Sequence, residues 1–296
     1  MVHTVGISGP NGNVGKATLP LLVAAAQQGK IKLAILHRKG HVPSQAPAHE
    51  NIELRAINYE DSVDQLARKM QGINVFISCV GFEGIPYEAK VVEALSRSPD
   101  LVTYIPCSYS ARWSQAELHD PALGPILNFM YTGVNKAKEL GLSVTTFYTG
   151  VFDLYWFEYG FIGAPLKENT VWANSKQLAN PFPITVMEHL GAALARVATS
   201  DPSSIKGQQY SVVTFSPTGN ELVELYTKLN GAPTKVKDFT DADRAALRAD
   251  AENNGAIRAG YWDHWAGNTW AYEADGITGD KNYQGPSLEE VGRRFL

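Results

Sequence analysis

The sequence predicts an α/β protein with a Rossmann-type, doubly wound parallel sheet and a smaller C-terminal α/β lobe. Two observations predict this fold. Apolar runs of strand length alternate with helical patterns over the first half of the chain, and a glycine-rich turn lies at the first strand-to-helix junction. Strands that are apolar on both faces are typical of a parallel sheet covered by helices on each side. With 296 residues, 44% of them hydrophobic, the chain can form one large domain and an additional lobe.

The first half of the chain shows the alternation element by element. Strands are predicted at His3–Gly9, Lys32–Arg38, Ile52–Asn58, Val75–Gly81, Leu101–Cys107 and Ser143–Gly150. Helices are predicted between them at Val14–Gln28, Asp61–Gln71, Glu88–Arg97 and Leu123–Leu140. This order is that of repeated strand–helix–strand units, which build a parallel sheet.

After Gly150 the alternation breaks, and an aromatic segment rich in Gly and Pro follows. Beyond it, we predict one short strand at Gln208–Val213 and helices at Val186–Thr199, Gly219–Leu229, Asp241–Asn253 and Leu288–Phe295. We therefore predict a Rossmann domain over residues 1–152 and a lobe over residues 153–296, with some segments of the lobe returning to the Rossmann sheet.

Composition excludes several classes of protein. The net charge is −4 and the basic residues form no stripe, which argues against a nucleic-acid partner. Cys79 and Cys107 are the only cysteines, as expected in a reducing compartment. The N-terminus begins a buried-strand pattern instead of a signal peptide, and no apolar run is long enough to span a bilayer. We expect a cytoplasmic protein without membrane partners, as a monomer or homodimer.

The glycine-rich turn is a G-x-x-G-x-x-G pattern between the first strand and the first helix. Glycine is needed here because a Cβ would block the tight turn, the approach of a pyrophosphate and the packing of helix on strand. The phosphates would meet free N–H groups at the positive end of the helix dipole. The sequence therefore predicts a dinucleotide site whose residues include Gly9, Asn11, Gly12, Asn13, Val14 and Gly15.

The end of the second strand indicates which dinucleotide binds. An NAD site usually places Asp or Glu about 20 residues past the glycines to hold the ribose 2′-hydroxyl. Here the chain has Arg38 and Lys39 and no carboxylate. A guanidinium can hold a 2′-phosphate by two hydrogen bonds, with the lysine adding charge. We therefore predict NADPH/NADP+ as the cofactor; the alternative is an ordinary solvated basic turn.

Beyond the glycine turn, four segments carry a resemblance to a family. They are Gln71–Ser78, similar to "G-V-D-V-V-I-S"; Tyr104–Tyr109, similar to "R-F-I-P-S-E-F"; Gly141–Thr145 continuing to Gly150–Phe152, similar to "G-L-x-Y-T…G-x-F"; and Glu188–Gly191, similar to "D-I-G". With them the chain resembles the NmrA-like, isoflavone-reductase-like branch of the atypical short-chain dehydrogenases. The likeness spans most of the chain and is specific through residue 152.

The resemblance implies two further groups of cofactor contacts. The loop after the fourth strand, with Cys79, Val80 and Gly81, would pass under the dinucleotide. Thr149, Gly150 and Phe152 would border the nicotinamide. Both groups follow strands of the predicted sheet, where ligands of open α/β sheets bind.

The catalytic residues of the family are missing at their expected positions. When residues are counted back from Gly141, the position of the family's catalytic lysine falls on Met130 and that of its catalytic tyrosine on Ile126. Neither side chain exchanges protons. Tyr109 and Ser108, at the end of the fifth strand, are the candidate catalytic residues; a packed tyrosine with a satisfied hydroxyl is the alternative.

Other chemistry finds less support in the sequence. The seven histidines show no metal-ligand spacing, and there is no G-x-S-x-G elbow. Aromatic clusters suit either a pocket for a flat, apolar ligand or the core of a small lobe. They are Tyr155, Trp156, Phe157, Tyr159 and Phe161, and later Tyr261, Trp262, Trp265, Trp270 and Tyr272 with Asp263 and His264.

Three functions therefore stay open. The first is an NADPH-dependent reductase for a small, aromatic or polycyclic carbonyl or enone metabolite. The second is an NADP(H)-binding regulatory sensor without catalysis, and the third a redox-neutral enzyme that keeps the cofactor. The missing lysine favours the second and third, whereas an aromatic pocket favours the first and third.

Overall fold

The computed structural model describes residues 2–163, 165–270 and 284–296. The chain forms two compact units, each made of three segments. The first, here called the sheet unit, consists of Met1–Tyr109, Asn128–Phe147 and Leu190–Tyr210. The second, here called the aromatic unit, consists of Ser110–Leu127, Tyr148–His189 and Ser211–Leu296. The predicted division into a Rossmann domain over residues 1–152 and a lobe over residues 153–296, with some segments of the lobe returning to the sheet, stays a prediction.

The sheet unit contains a five-stranded parallel sheet in the order β3-β2-β1-β4-β5. Its strands are β1 (Thr4–Ser8), β2 (Lys32–Arg38), β3 (Ile52–Ile57), β4 (Val75–Ser78) and β5 (Thr103–Ile105). A parallel bridge between Tyr104 and Val144 adds a sixth position beside β5. The strand order reverses direction between β1 and β4, which is where ligands of such sheets bind. The predicted α/β, Rossmann-type fold class is confirmed.

The remaining strands are short and pair two by two. They are β6 (Thr146–Thr149) with β10 (Gln209–Val212), β7 (Val151–Phe152) with β9 (Ile184–Thr185), and β8 (Thr170–Trp172) with β11 (Lys235–Lys237).

The helices are numbered along the chain. They are α1 (Asn13–Gln27), α2 (Val63–Met70), α3 (Glu88–Leu95), α4 (Gln115–Leu118), α5 (Gly124–Met130), α6 (Thr132–Glu139), α7 (Asp153–Phe157), α8 (Ser175–Ala179), α9 (Met187–Ala198), α10 (Pro202–Ile205), α11 (Gly219–Asn230), α12 (Asp241–Ala249), α13 (Gly255–Gly267) and α14 (Leu288–Arg293). Short 3-10 helices lie at Phe82–Tyr87 and Leu166–Glu168. Within the described ranges, no helix is both long and apolar enough to cross a membrane.

The sheet unit is stabilised by an apolar core on its central strands. β4 is buried along its whole length, and Ile7 and Ile77 on the paired strands β1 and β4 are fully buried. Burying each such side chain contributes about 1.5–3 kcal/mol. Around the sheet, α2 begins with a capping box between Ser62 and Gln65, which satisfies backbone N–H groups at the helix start.

The aromatic unit has a core of packed rings. Trp262 and Trp265 on α13 are almost completely buried; Trp262 stacks on Phe239 with ring centroids 3.9 Å apart, and Trp265 meets Phe182 edge-on. These tryptophans therefore build the lobe, as the structural alternative predicted. Tyr155 and Tyr159 are instead exposed, and Tyr272 lies outside the described residues.

The sequence prediction missed α13. It mixes small, aliphatic, aromatic and a few polar residues, and most of them are buried, so the helix shows no clear polar face that would produce an amphipathic pattern. At its start, a Cβ on Gly255 would overlap the carbonyl oxygen of Leu247 on α12. Glycine is therefore needed where the two helices meet.

Candidate functional site

The glycine turn connects β1 to α1, and two of its glycines are required by the turn itself. Gly9 has φ +69°, and a Cβ there would overlap the carbonyl oxygen of Cys79. A Cβ on Gly15 would overlap the carbonyl oxygen of Gly9. These glycines bring the turn into direct contact with the start of α1 and with Cys79, the residue that follows β4.

Gly12 is different, because a Cβ there would fit tightly but would not overlap the protein. Its φ is −75°, and the atom nearest a Cβ is the carbonyl oxygen of Cys79 at 3.2 Å. Gly12 is the N-cap of α1, with no side-chain cap and no acidic residue in the first turn. The N–H groups at the start of this 15-residue helix therefore have no side-chain acceptor, and the space in front of them, called the cradle below, is where a phosphate would bind.

Of the other turn residues, Asn13 is exposed and Val14 is partly buried at the start of α1. The Asn11 side chain donates through Nδ2 to the carbonyl oxygen of His41, at 3.0 Å. This bond ties the glycine turn to the loop that follows β2.

The end of β2 presents positive charge and aromatic surface. Arg38 and Lys39 are exposed, and the ion pairs of the described residues do not include them. At the same edge of the sheet unit, Tyr59 stacks on Tyr87 with ring centroids 4.6 Å apart. Burial raises the pKa of Tyr59 to about 12, and the positive charge of Arg38 opposes that rise. Lys90 fixes the segment that follows β3, because its Nζ donates to the Tyr59 carbonyl oxygen at 2.6 Å.

The loop after β4 lies against the glycine turn. Cys79 is buried, its N–H donates to the Ser8 carbonyl oxygen at 2.9 Å, and burial raises the pKa of its thiol to about 12. Such a thiol is unreactive. Val80 is partly buried and Gly81 is exposed.

Tyr109 and Ser108 lie in the sheet unit after β5. The Tyr109 hydroxyl donates to the carbonyl oxygen of Ser78 at 2.9 Å, its ring is 8% exposed, and burial raises its pKa well above the usual value. Ser108 is buried, and its hydroxyl has no hydrogen-bond partner among the described residues. Their catalytic role stays a prediction, and the position of the tyrosine argues against it because its hydroxyl is already held by the fold.

We expect Tyr109→Phe to change turnover with NADPH by less than about tenfold, against roughly 10²–10⁴-fold for a lost general acid. NADPH affinity should fall by about fivefold, because the Ser78 carbonyl loses a donor worth about 1 kcal/mol. Steady-state kinetics and a direct binding titration separate the two effects. A loss of turnover above 100-fold at unchanged affinity would restore Tyr109 as the proton donor.

Thr149, Gly150 and Phe152 belong to the aromatic unit. Thr149 is buried, and its N–H donates to the Ser110 carbonyl oxygen at 2.9 Å. The Gly150 N–H donates to Thr185 Oγ1, and a Cβ on Gly150 would overlap the Pro183 carbonyl oxygen, so this glycine is required by local packing. Phe152 is partly exposed, with its ring near that of Tyr155. A nicotinamide contact for these residues stays a prediction.

Asp153 follows directly and was missed by the sequence analysis. It is 4% exposed, and its Oδ1 has no hydrogen-bond partner among the described residues. Burial raises its pKa from 3.8 to about 6, with the nearby charge of Glu188 adding to the rise, while backbone N–H groups of Leu154 and Met187 and the charge of Arg294 oppose it. A lone acidic residue after an aromatic one gives no sequence signal for burial.

Asp153 predicts a pH dependence of stability. Its pKa is higher in the folded state, so the folded state is favoured below pH 4 and loses that advantage as the pH rises to about 6. Asp153→Asn should therefore become more stable than the parent over this window, by about 2–3 kcal/mol at pH 7. Urea unfolding at several pH values measures this difference. Asp238→Asn, at an exposed position, is the control and should show no such trend.

Comparison with known proteins establishes the class of fold. No protein-family model matches the sequence, and no curated protein matches it. Solved structures, however, match it end to end at 13–17% identity. Together with the sheet order, these matches define a Rossmann-type α/β protein.

Four of these structures illustrate the match. The protein AtPrR2, solved with NADP+ and (+)pinoresinol, matches with a TM-score of 0.79 and 16% identity, covering 100% of this chain and 99% of that one. Leucoanthocyanidin reductase from Vitis vinifera, in a binary complex with NADPH, matches with a TM-score of 0.73 and 14% identity, covering 99% of both chains. Triphenylmethane reductase from Citrobacter sp., complexed with NADP(H), matches with a TM-score of 0.68 and 17% identity, covering 99% of this chain and 100% of that one. Isoflavone reductase also matches, at 0.75 and 14%. The chain thus has the fold of the isoflavone-reductase-like reductases, as the motif resemblance predicted.

Proposed function

We propose that this protein binds NADP(H) and is an NADPH-dependent reductase for a small aromatic or polycyclic carbonyl or enone compound. One observation carries the cofactor assignment. The N-terminus of α1 has Gly12 as its N-cap and no side-chain cap. It lies in the same unit as the exposed Arg38 and Lys39 at the end of β2, the strand that pairs with β1. The solved neighbours, which hold NADP+, NADPH or NADP(H), support it.

Different residues of the sheet unit would bind different parts of the cofactor. The N–H groups from Asn13 to Gly15 would bind the pyrophosphate, and Arg38 with Lys39 the ribose 2′-phosphate. The stacked ring of Tyr59, with Tyr87 behind it, offers the adenine an aromatic face beside Arg38. Bound at this site, the nicotinamide supplies a hydride; the chain itself binds and orients the reactants and keeps water out.

A small-molecule substrate of aromatic character is supported by the exposed Tyr155 and Tyr159 in the aromatic unit, whose rings lie 5.8 Å apart. The neighbours include a structure with pinoresinol and a triphenylmethane reductase.

Two observations favour a second candidate, a non-catalytic NADP(H) sensor. The motif resemblance implies that the family's lysine position falls on Met130, and the Tyr109 hydroxyl donates to the Ser78 carbonyl oxygen. The same observations suit a redox-neutral enzyme that retains the cofactor.

The experiment has two stages. NADPH and NADH are first titrated into the protein with intrinsic fluorescence as the readout, and NADPH should bind more tightly. A panel of aromatic ketones and enones is then tested for NADPH oxidation. Tight NADPH binding without any oxidation selects the sensor or the redox-neutral enzyme, and absence of NADPH binding overturns the proposal.

A further inference from the structure

A buried network of polar side chains joins the ends of the central strands in the sheet unit. Its centre is Glu88, the first residue of α3, which is only 1% exposed. Ser78 at the end of β4 donates through Oγ to Glu88 Oε1 at 2.8 Å, and the Tyr104 hydroxyl of β5 donates to Oε2. Ser8 at the end of β1 donates to Ser78 Oγ at 3.4 Å. Ser8, Ser78, Glu88 and Tyr104 are called the carboxyl network below.

The network is closed on its outer side by α6. A Cβ on Gly133 would lie 2.9 Å from Glu88 Oε2 and would overlap the Tyr104 hydroxyl. Glycine at this position lets α6 pack directly over the carboxyl group. The bare helix backbone thus keeps Glu88 away from solvent.

Among the residues that the structure describes, the groups that interact with Glu88 carry no positive charge. They are Ser78 and Cys79 on β4 and its loop, Tyr104, Cys107 and Tyr109 on β5 and its loop, and Tyr59 after β3. Burial raises the pKa of Glu88, and the hydrogen bonds from Tyr104 and Ser78 only partly oppose that rise. A buried carboxylate without a cation is costly, and a neutral carboxylic acid, which both donates and accepts, suits these hydroxyl partners.

The carboxyl network also supports the candidate cofactor site. Ser78 is held through its side chain by Glu88 and through its carbonyl oxygen by the Tyr109 hydroxyl. The next residue, Cys79, is the floor of the glycine turn, because its carbonyl oxygen is what a Cβ on Gly9 or Gly12 would meet. A shift of Ser78 therefore moves the surface on which the turn rests.

We propose that Glu88 is a positioning residue that holds the β4 end beneath the glycine turn as a neutral acid, and that its ionisation weakens dinucleotide binding. This inference rests on the proposed function for its ligand. Rising pH converts the acid to a carboxylate that its hydroxyl neighbours cannot neutralise. The network then rearranges around Ser78, and NADPH affinity falls as the pH increases.

The test compares Glu88→Gln, which is neutral and of the same shape, with Glu88→Leu, which removes the hydrogen bonds. Glu93→Gln, on the same helix and half-exposed, is the matched control. NADPH binding is measured by calorimetry from pH 6 to 9, and amide hydrogen exchange of residues 78–81 is measured without ligand.

We expect the NADPH affinity of Glu88→Gln to match that of the parent within about threefold at pH 6. At high pH the parent and Glu93→Gln should both lose affinity, whereas Glu88→Gln should not. Glu88→Leu should weaken NADPH binding by about tenfold or more, as for one or two lost hydrogen bonds, and should speed exchange at residues 78–81. If Glu88→Leu does not fold, the pH profile of Glu88→Gln still decides.

The inference is overturned if the NADPH affinities of the parent and of Glu88→Gln change with pH in the same way. It is also overturned if Glu88→Leu binds NADPH as tightly as the parent does. If the parent binds no NADPH at any pH, the proposed function fails. The protection factors of the amides at residues 78–81, which correct for the intrinsic rise of exchange with pH, then decide the positioning role alone. They must fall with pH in the parent and stay constant in Glu88→Gln, and otherwise the inference fails too.

Discussion

Gly12→Val is expected to weaken NADPH binding by about 10²–10⁴-fold while the protein stays folded, because at least two phosphate contacts worth roughly 1.5–3 kcal/mol each are lost. The φ of −75° suits any residue, and the Cβ would lie 3.2 Å from the Cys79 carbonyl oxygen, a tight fit that small shifts relieve. The valine methyl groups would then fill the cradle in front of the N–H groups of α1. Fluorescence titration with NADPH measures the loss, and circular dichroism confirms the fold.

Two variants in the same turn separate ligand exclusion from misfolding. Gly12→Ala fills less of the cradle and should lose less affinity than Gly12→Val. Gly15→Ala places its Cβ onto the Gly9 carbonyl oxygen and should lower stability as well as binding. If Gly12→Val bound NADPH like the parent, the glycines would serve only to shape the turn.

The sheet could be predicted from the sequence because its signals are local. β2 was predicted at Lys32–Arg38 and has those bounds. Prediction was less accurate where the chain leaves the sheet. The fourth strand was expected to continue to Gly81, but β4 ends at Ser78, since the next residues turn toward the glycine turn. Apolar character continues through Cys79 and Val80, so the pattern cannot mark this change of direction.

The features that modify the candidate site could not be predicted, because they depend on contacts between distant residues. Glu88 has the sequence signature of an ordinary first-turn helix residue, and only the packing of β4, β5 and α6 around it makes it buried. In the same way, the end of a strand suggested a catalytic role for Tyr109, whereas the fold turns its hydroxyl toward Ser78. A side chain's direction follows from its tertiary surroundings, which one sequence does not contain.

Arg38→Ala is expected to weaken NADPH binding by about 10–150-fold, the equivalent of a charge-assisted contact of roughly 1.5–3 kcal/mol, and to leave NADH binding unchanged. The guanidinium is exposed at the end of β2 and outside the ion pairs of the described residues, so its removal breaks no ion pair among them. NADH lacks the 2′-phosphate and should not detect the change. Lys39→Ala should have a smaller effect, because a lysine adds charge without the two-pronged geometry of arginine. Titrations of all three proteins with both cofactors at fixed ionic strength measure the preference. Equal affinities of the parent for NADPH and NADH, or an Arg38→Ala protein that keeps its preference, would mean that the basic turn is only a solvated surface.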